Sequence, residues 1–294
     1  MPVLGSDARP VSGLIDRMMR EFLEPADDQP TRFTLAAELA EDATSLSYDP
    51  ALLSPEEEDI LGPGMLIEVG IEEIVVGAVD ASTNVLSSLI RGANGTEPAL
   101  HAVGGVAKVM PTWRRRAAFD AVCDAIDALF PELYAVDTIA VSAGTGSTTE
   151  IPAAVAWPLW MWDISGARHD ELTFLDHYGG SSTGKALMNG VTGHLVYAKS
   201  FERPDSEDVD LADLSIDPAW ERLVIVSAVS YLMSGREADP IAQKFLTEQQ
   251  AQQGFPVGSA TRLRDALIRE YEYLLAKAKR QLRSRYPITV ARGW

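Results

Sequence analysis

The spacing of apolar residues divides the chain into stretches of two periods. Between residues 9 and 24, Val11, Leu14, Ile15, Met18, Met19 and Phe22 recur at three- and four-residue steps, which predicts an amphipathic helix ended by Pro25, with Ser12 or Asp7 as cap. Residues 44–48 read as a strand, and residues 35–41 fit either a helical turn or another strand. Ser54-Pro55-Glu56-Glu57-Glu58 has the form of a helix start, with Ser54 as N-cap, Pro55 at the first position and acids at the positive end of the dipole. From residue 64 to 110 the period falls to two. Met65, Ile67, Val69 and Ile71 alternate with Leu66, Glu68 and Gly70, and Gly64, Gly70 and Gly77 punctuate short strands. Asn94-Gly95, set between two apolar runs, is a strong turn signal because both residues tolerate positive φ.

The helical period returns over residues 112–130, where Trp113, Ala117, Ala118, Val122, Ile126 and Leu129 share one face, Thr112 is the expected cap and Pro131 the stop. Residues 137–201 read as a separate all-β stretch of short strands between Gly/Ser/Asp turns, and Trp157, Trp160 and Trp162 are expected to feed its small core. An acidic spacer, residues 205–213, leads into an apolar helix through Leu223, Ile225, Val226, Val229 and Leu232. After Gly254-Phe255-Pro256, Ser259 is placed to cap a last helix. Its stripe of Leu263, Leu267, Tyr271, Leu274, Leu275, Ala278 and Leu282 predicts an αα-hairpin with the helix before it.

Residues 64–76 follow the order G-x-x-I-x-V-G-x-E-x-I-x-V, and Asp80 supplies an acidic turn. Arg91, Gly92, Asn94, Gly95, Thr96, His101 and Gly104 then complete R-G-x-x-G-T…H-x-x-G before Pro111. This element resembles one found in neck proteins of tailed bacteriophages, which sit between portal and tail. The doubled acid Glu72-Glu73 and the pair Glu97-Pro98 depart from that pattern without touching its turn glycines. Ile151-Pro152-Ala153, the ending Gly193 to Phe201 with Tyr197, and Tyr271 to Pro287 are similar to further stretches of the same proteins. The resemblance implies a virion structural protein: a connector or adaptor subunit in a ring, with twelve copies matching a portal. The implied partners are the portal, a downstream neck or tail protein and, non-specifically, packaged DNA. A tail or baseplate subunit is the alternative within the same class.

Composition narrows the picture. With 294 residues and 46% hydrophobic content the chain supports a real core. The single cysteine, Cys123, lies at an apolar helical position and reads as a packing thiol. The N-terminus shows neither a basic nor an apolar signal region, and no apolar run reaches the ~18 residues of a membrane helix, so synthesis in a host cytoplasm without membrane contact is expected. The net charge of −18 argues against a general nucleic-acid binder. That charge is uneven: residues 259–294 hold nine basic residues against three acidic, so they carry +6 and the rest of the chain −24. Stacked rings with complementary faces would use such a split. Arg280, Arg283 and Arg285 are therefore interface candidates. Arg114, Arg115 and Arg116 are another group, because a basic triplet in a first helical turn opposes the macrodipole and calls for an acidic neighbour, an outside partner or plain solvation.

Candidate catalytic motifs fail on context. Gly179 to Lys185 matches G-x-x-x-x-G-K, but Ala186 stands where Mg²⁺ needs a hydroxyl. Ser182 in Gly180-Ser181-Ser182-Thr183-Gly184 lacks the strand-to-helix turn of a nucleophile elbow. Gly144-Thr145-Gly146 lacks a third glycine. His101, His169, His177 and His194 show no metal spacing, so neither cofactor nor metal is expected and a hydrolytic or ligand-binding β module is disfavoured. His101 is expected to bond a turn, and Arg91 to pair with a sheet carboxylate such as Glu68 or Glu72. The overall expectation is an α+β fold, in which short antiparallel β units, one a small sandwich or barrel-like domain, join a helical connector portion. Its segments would be residues 1–60 (arm), 61–136 (β-hairpin element and helix), 137–203 (all-β domain) and 204–294 (helical hairpin).

Overall fold

The computed structural model describes residues 9–23, 31–142, 149–150, 157–163, 165–169, 174–176, 185–187, 192–237 and 259–286. The fold is α+β, and the chain divides into two compact units, Ser12–Val122 and Met1–Val11 with Cys123–Trp294, a coarser division than the four expected segments.

In the first unit, seven strands form one antiparallel sheet. They are β1 (Arg32–Leu35), β2 (Ser45–Asp49), β3 (Leu66–Val69), β4 (Glu72–Val75), β5 (Ala78–Asp80), β6 (Val85–Ser87) and β7 (Val106–Val109), in the order β4-β3-β7-β1-β2-β6-β5. The sheet curls into a half-barrel. Val75, at the end of β4, exchanges backbone hydrogen bonds of 3.0 and 2.9 Å with Ile90, just beyond β6, so part of the β4 edge is covered. Phe33, Leu35, Leu46, Tyr48, Ile67, Val69, Ile74, Val76, Leu86, Ala107 and Val109 fill the concave side. Alternation explains the selection, since only every second residue of a strand faces the core.

The barrel-like portion thus draws on residues 31–49, which the sequence pattern had assigned to an arm. β1 pairs with both β7 and β2 in the middle of the sheet. Only Phe33 and Leu35 alternate within β1, too few positions to declare a strand. The short helix α2 (Pro55–Glu58) forms as its residues suggest. The Ser54 hydroxyl accepts from the Glu57 N–H at 3.3 Å, and the Glu57 carboxylate accepts from the Ser54 N–H at 2.8 Å, a reciprocal capping box. The expected N-terminal helix is α1 (Val11–Met18), prolonged by a π-helical turn to Leu23, and Val11, Leu14, Ile15, Met18 and Met19 are buried as the period requires. Ser12 lies inside that helix rather than capping it.

The predicted helix over residues 112–130 is shorter, α3 (Arg115–Asp127). In the second unit, β8 (Ala135–Val141), β10 (Trp157–Asp163), β11 (Arg168–His169) and β14 (Gly193–Lys199) form a sheet in the order β11-β10-β14-β8. β9 (Thr149–Glu150), β12 (Phe174–Asp176) and β13 (Lys185–Leu187) form another. Trp160 is buried and stacks on Tyr286, whereas Trp162 is exposed and so lies outside the core it was expected to feed. Helices α4 (Glu221–Glu237) and α5 (Ser259–Arg285) pack on each other, tied by Arg222 Nε to Glu270 at 2.9 Å; the residues that join them, 238–258, lie outside the described residues. Every residue of α4 from Leu223 to Val229 is buried, the pattern of a helix surrounded by protein. Among the described residues no helix is long and apolar enough to cross a membrane.

Candidate functional site

Three glutamates of the half-barrel are almost fully buried: Glu68 at 2%, Glu72 at 0% and Glu73 at 2% exposure. Glu72 and Glu73 are consecutive in β4, so they face opposite sides of the sheet. Glu72 shares its side with Ile74 and the core. Glu73 shares the other with Glu68, which lies directly opposite it on β3. The doubled acid therefore makes two separate sites.

On the core side, the Glu72 carboxylate accepts from five N–H donors. Oε1 takes Arg91 Nε at 2.6 Å and the Gly92 N–H at 3.2 Å, and Oε2 takes an Arg91 guanidinium nitrogen at 2.7 Å, the Ala99 N–H at 3.1 Å and His101 Nε2 at 2.7 Å. Because a carboxylate only accepts, His101 carries its proton on Nε2 in this contact. Arg91 also donates to the carbonyls of Ala40 and, at 2.7 Å, Ala99. Burial pushes the Glu72 carboxyl up, but the bonds from Arg91, His101, Ala99 and Gly92 outweigh it, and the group sits below its ordinary value. Arg91 thus meets one of the two sheet carboxylates its position suggested, and His101 meets that same carboxylate rather than a turn.

Loop geometry brings these groups together. Gly92, Asn94 and Gly95 have φ of 61°, 53° and 81°, which turns the chain tightly between Arg91 and Thr96. At Gly92 a Cβ would lie 2.7 Å from the Thr96 carbonyl oxygen, so the close approach itself requires glycine. Gly104, also at positive φ, donates its N–H to the Leu35 carbonyl at 2.8 Å, and His101 exchanges backbone bonds with Leu39. The segment is thereby fixed at its C-terminal end to Leu35 of β1 and to Leu39 just beyond it.

On the other side, Glu68 and Glu73 oppose one another as like charges, which destabilises a pair unless cations or dipoles intervene. Both are supplied. The Arg115 N–H, the first of α3, donates to Glu68, placing a carboxylate at the positive end of the helix. Arg114 reaches Glu73 at 3.2 Å, the Asn94 amide donates to the same oxygen, and the Glu73 N–H donates to Thr96 Oγ1 at 3.0 Å. The cap of α3 is accordingly a sheet glutamate rather than Thr112.

The basic triplet is answered within the chain. Arg114 pairs with Glu73, Arg115 with Asp16 at 2.6 Å and Arg116 with Asp120 at 3.2 Å. Of the C-terminal candidates, Arg285 pairs with Asp217 at 3.0 Å, while Arg280 donates Nε to the Ala276 carbonyl of its own helix. Arg280 and Arg283 have no carboxylate partner among the described residues. The sequence motif named Arg91, His101 and, at its single acidic position, Glu72, but not Glu73 as the centre of a second site. The signal of that site was the doubled acid in a strand, where burial of a charge on each face demands a partner on each.

Gly144 to Gly146, Ile151 to Ala153, His177, Gly179 to Gly184 with Ser182, Gly254 to Pro256 and Pro287 lie outside the described residues. So do the side chains of His169 and Lys185. Among the described residues no three His, Cys, Asp or Glu side chains converge as a group able to hold a metal ion. No protein-family model matches the chain, and no curated protein matches it.

Proposed function

We propose that the protein is a head-to-tail connector subunit of a tailed bacteriophage, a structural virion protein that assembles into a ring between portal and tail. The supporting observation is the internal use of the motif through which the chain resembles neck proteins. Arg91, Gly92 and His101 are spent on Glu72, and Asn94 and Thr96 on Glu73. Polar groups committed to one another in this way build a rigid loop on a half-barrel and leave little to act on a substrate. Rigidity suits a ring, because an angular error in one subunit contact is repeated at every other. Residues placed at an interface on this reading are the uncompensated arginines of α5.

Negative-stain microscopy and light scattering of the purified chain, alone and mixed with a portal ring, test the proposal. Annular particles that bind the portal are expected. A chain that stays monomeric under both conditions overturns it, and open tubes that ignore the portal would move the protein to the tail.

A further inference from the structure

In a chain this acidic, most described cations have a carboxylate close by; Arg20 and Arg32 are exceptions on separate elements, and several further exceptions share one helix. Along the outward line of α5 stand Arg269, Tyr273, Lys277 and Arg280, spaced by four, four and three residues and opposite the buried Leu267, Ala278 and Leu282. None of the three cations has a carboxylate partner among the described residues. Arg269 and Arg280 donate only to carbonyls of their own helix, Asp265 and Ala276. Tyr273, between them, is 64% exposed. Asp265 and Glu272 lie toward one flank of the line, as does the cation Arg283.

The half-barrel unit carries the opposite surface. Over residues 49–60, Asp49, Glu56 and Asp59 are exposed and Glu58 is half-exposed, and none has a cation within salt-bridge reach among the described residues. Leu52 and Ile60, in the same segment, are each 53% exposed. Glu58 of this segment and Asp80 of β5 both lie near the buried Tyr48 hydroxyl, which is pushed up first by burial and then by their charges. The ridge therefore presents negative charge around two apolar side chains, and the α5 line presents positive charge around an aromatic one.

We infer that the outward line of α5 docks on the ridge of residues 49–60 of a second copy of this chain. Both surfaces are exposed. Two different patches on one chain make a head-to-tail contact, which closes into a ring when the rotation per copy allows it. Opposed charges set the pairing and Tyr273, Leu52 and Ile60 supply apolar contact at its centre. The inference rests on the ring reading above and assigns its interface.

A charge swap in the full chain tests it, read by mass photometry and microscopy, with circular dichroism to verify the fold. The triple variant Arg269→Glu, Lys277→Glu, Arg280→Glu and the triple variant Glu56→Lys, Glu58→Lys, Asp59→Lys should each lose the ring population. Mixing the two restores only the contacts between unlike copies, so a single chain carrying all six changes is the decisive form and should recover rings. Should a reversal unfold the chain, the alanine versions of the same triples are read instead, with weakened rather than abolished assembly expected. Rings that persist in either reversed triple overturn this inference while leaving the ring reading intact. A six-fold variant that folds but does not assemble overturns it too. Loss of duplex DNA retention on the α5 reversal with rings intact assigns the line to nucleic acid and likewise overturns it. A wild-type chain that never forms rings fails the broader reading instead.

Discussion

Glu72 concentrates the cost and the benefit of a buried charge in one carboxylate. With Arg91 and His101 in place, its oxygens are saturated. Without Arg91, a buried anion would keep only neutral or partly charged donors, and breaking such a pair costs about 3–5 kcal/mol. Arg91→Met should therefore lower stability by that order in denaturant unfolding, while the double variant Arg91→Met, Glu72→Gln, which leaves neither charge buried alone, should cost less. Equal losses would mean that the charge itself is not what the guanidinium serves. The pH dependence has a definite sign. The carboxyl is held below its ordinary value, so the stability it contributes is present above about pH 4.3 and is lost as pH falls through the lower folded value. The thermal midpoint should drop over that acid window more in wild type than in Glu72→Gln, and parallel acid profiles would contradict this. In the turn, Gly95→Val should cost about 1–3 kcal/mol through its positive φ alone. Gly92→Ala should cost more than that, because the added Cβ also meets the Thr96 oxygen at 2.7 Å.

Helix α3 shows what an element owes to distant residues. Its period was plain in the sequence, yet its cap comes from Glu68, 47 positions earlier. No local rule reaches that far, which is why Thr112 looked like the cap and the basic triplet looked misplaced. Glu68→Ala should destabilise by about 1–2 kcal/mol, with Glu68→Gln milder because it keeps an acceptor for the Arg115 N–H. Identical midpoints for the two variants would show that the cap contributes nothing. The packing of α4 against α5 was legible for the opposite reason: its partners lie close in sequence and its stripe is long. Leu267, at 2% exposure, anchors that packing, so Leu267→Ala should cost about 2–5 kcal/mol, read as a fall in denaturant midpoint. β1 was harder to read, since a strand of four residues, Arg32–Leu35, becomes recognisable only once β7 and β2 flank it.

Across the whole molecule, charge is the property that the sequence disclosed in sum and the structure disclosed in place. The excess of acid was visible in composition, and so was the basic C-terminal stretch. Which cations are already answered was not, because Arg114, Arg115 and Arg285 find carboxylates far along the chain. The outward line of α5, without a carboxylate partner among the described residues, is where assembly should respond to ionic strength. Particle formation should weaken between about 0.05 and 0.5 M salt, since exposed charges are screened beyond roughly 8 Å at physiological strength. Salt-independent assembly would place the contact on apolar surface alone. The consecutive Glu72 and Glu73 have an effect of another kind. If β4 slipped by one residue against β3, Glu73 would turn toward Arg91 and Ile74 would turn outward, away from the core it fills. A carboxylate would still stand on each face, so the doubled acid by itself tolerates the slip and the register is held by the apolar residue beside it. Ile74 acts as the parity check on the hairpin: fully buried, it reaches the core only in the native pairing.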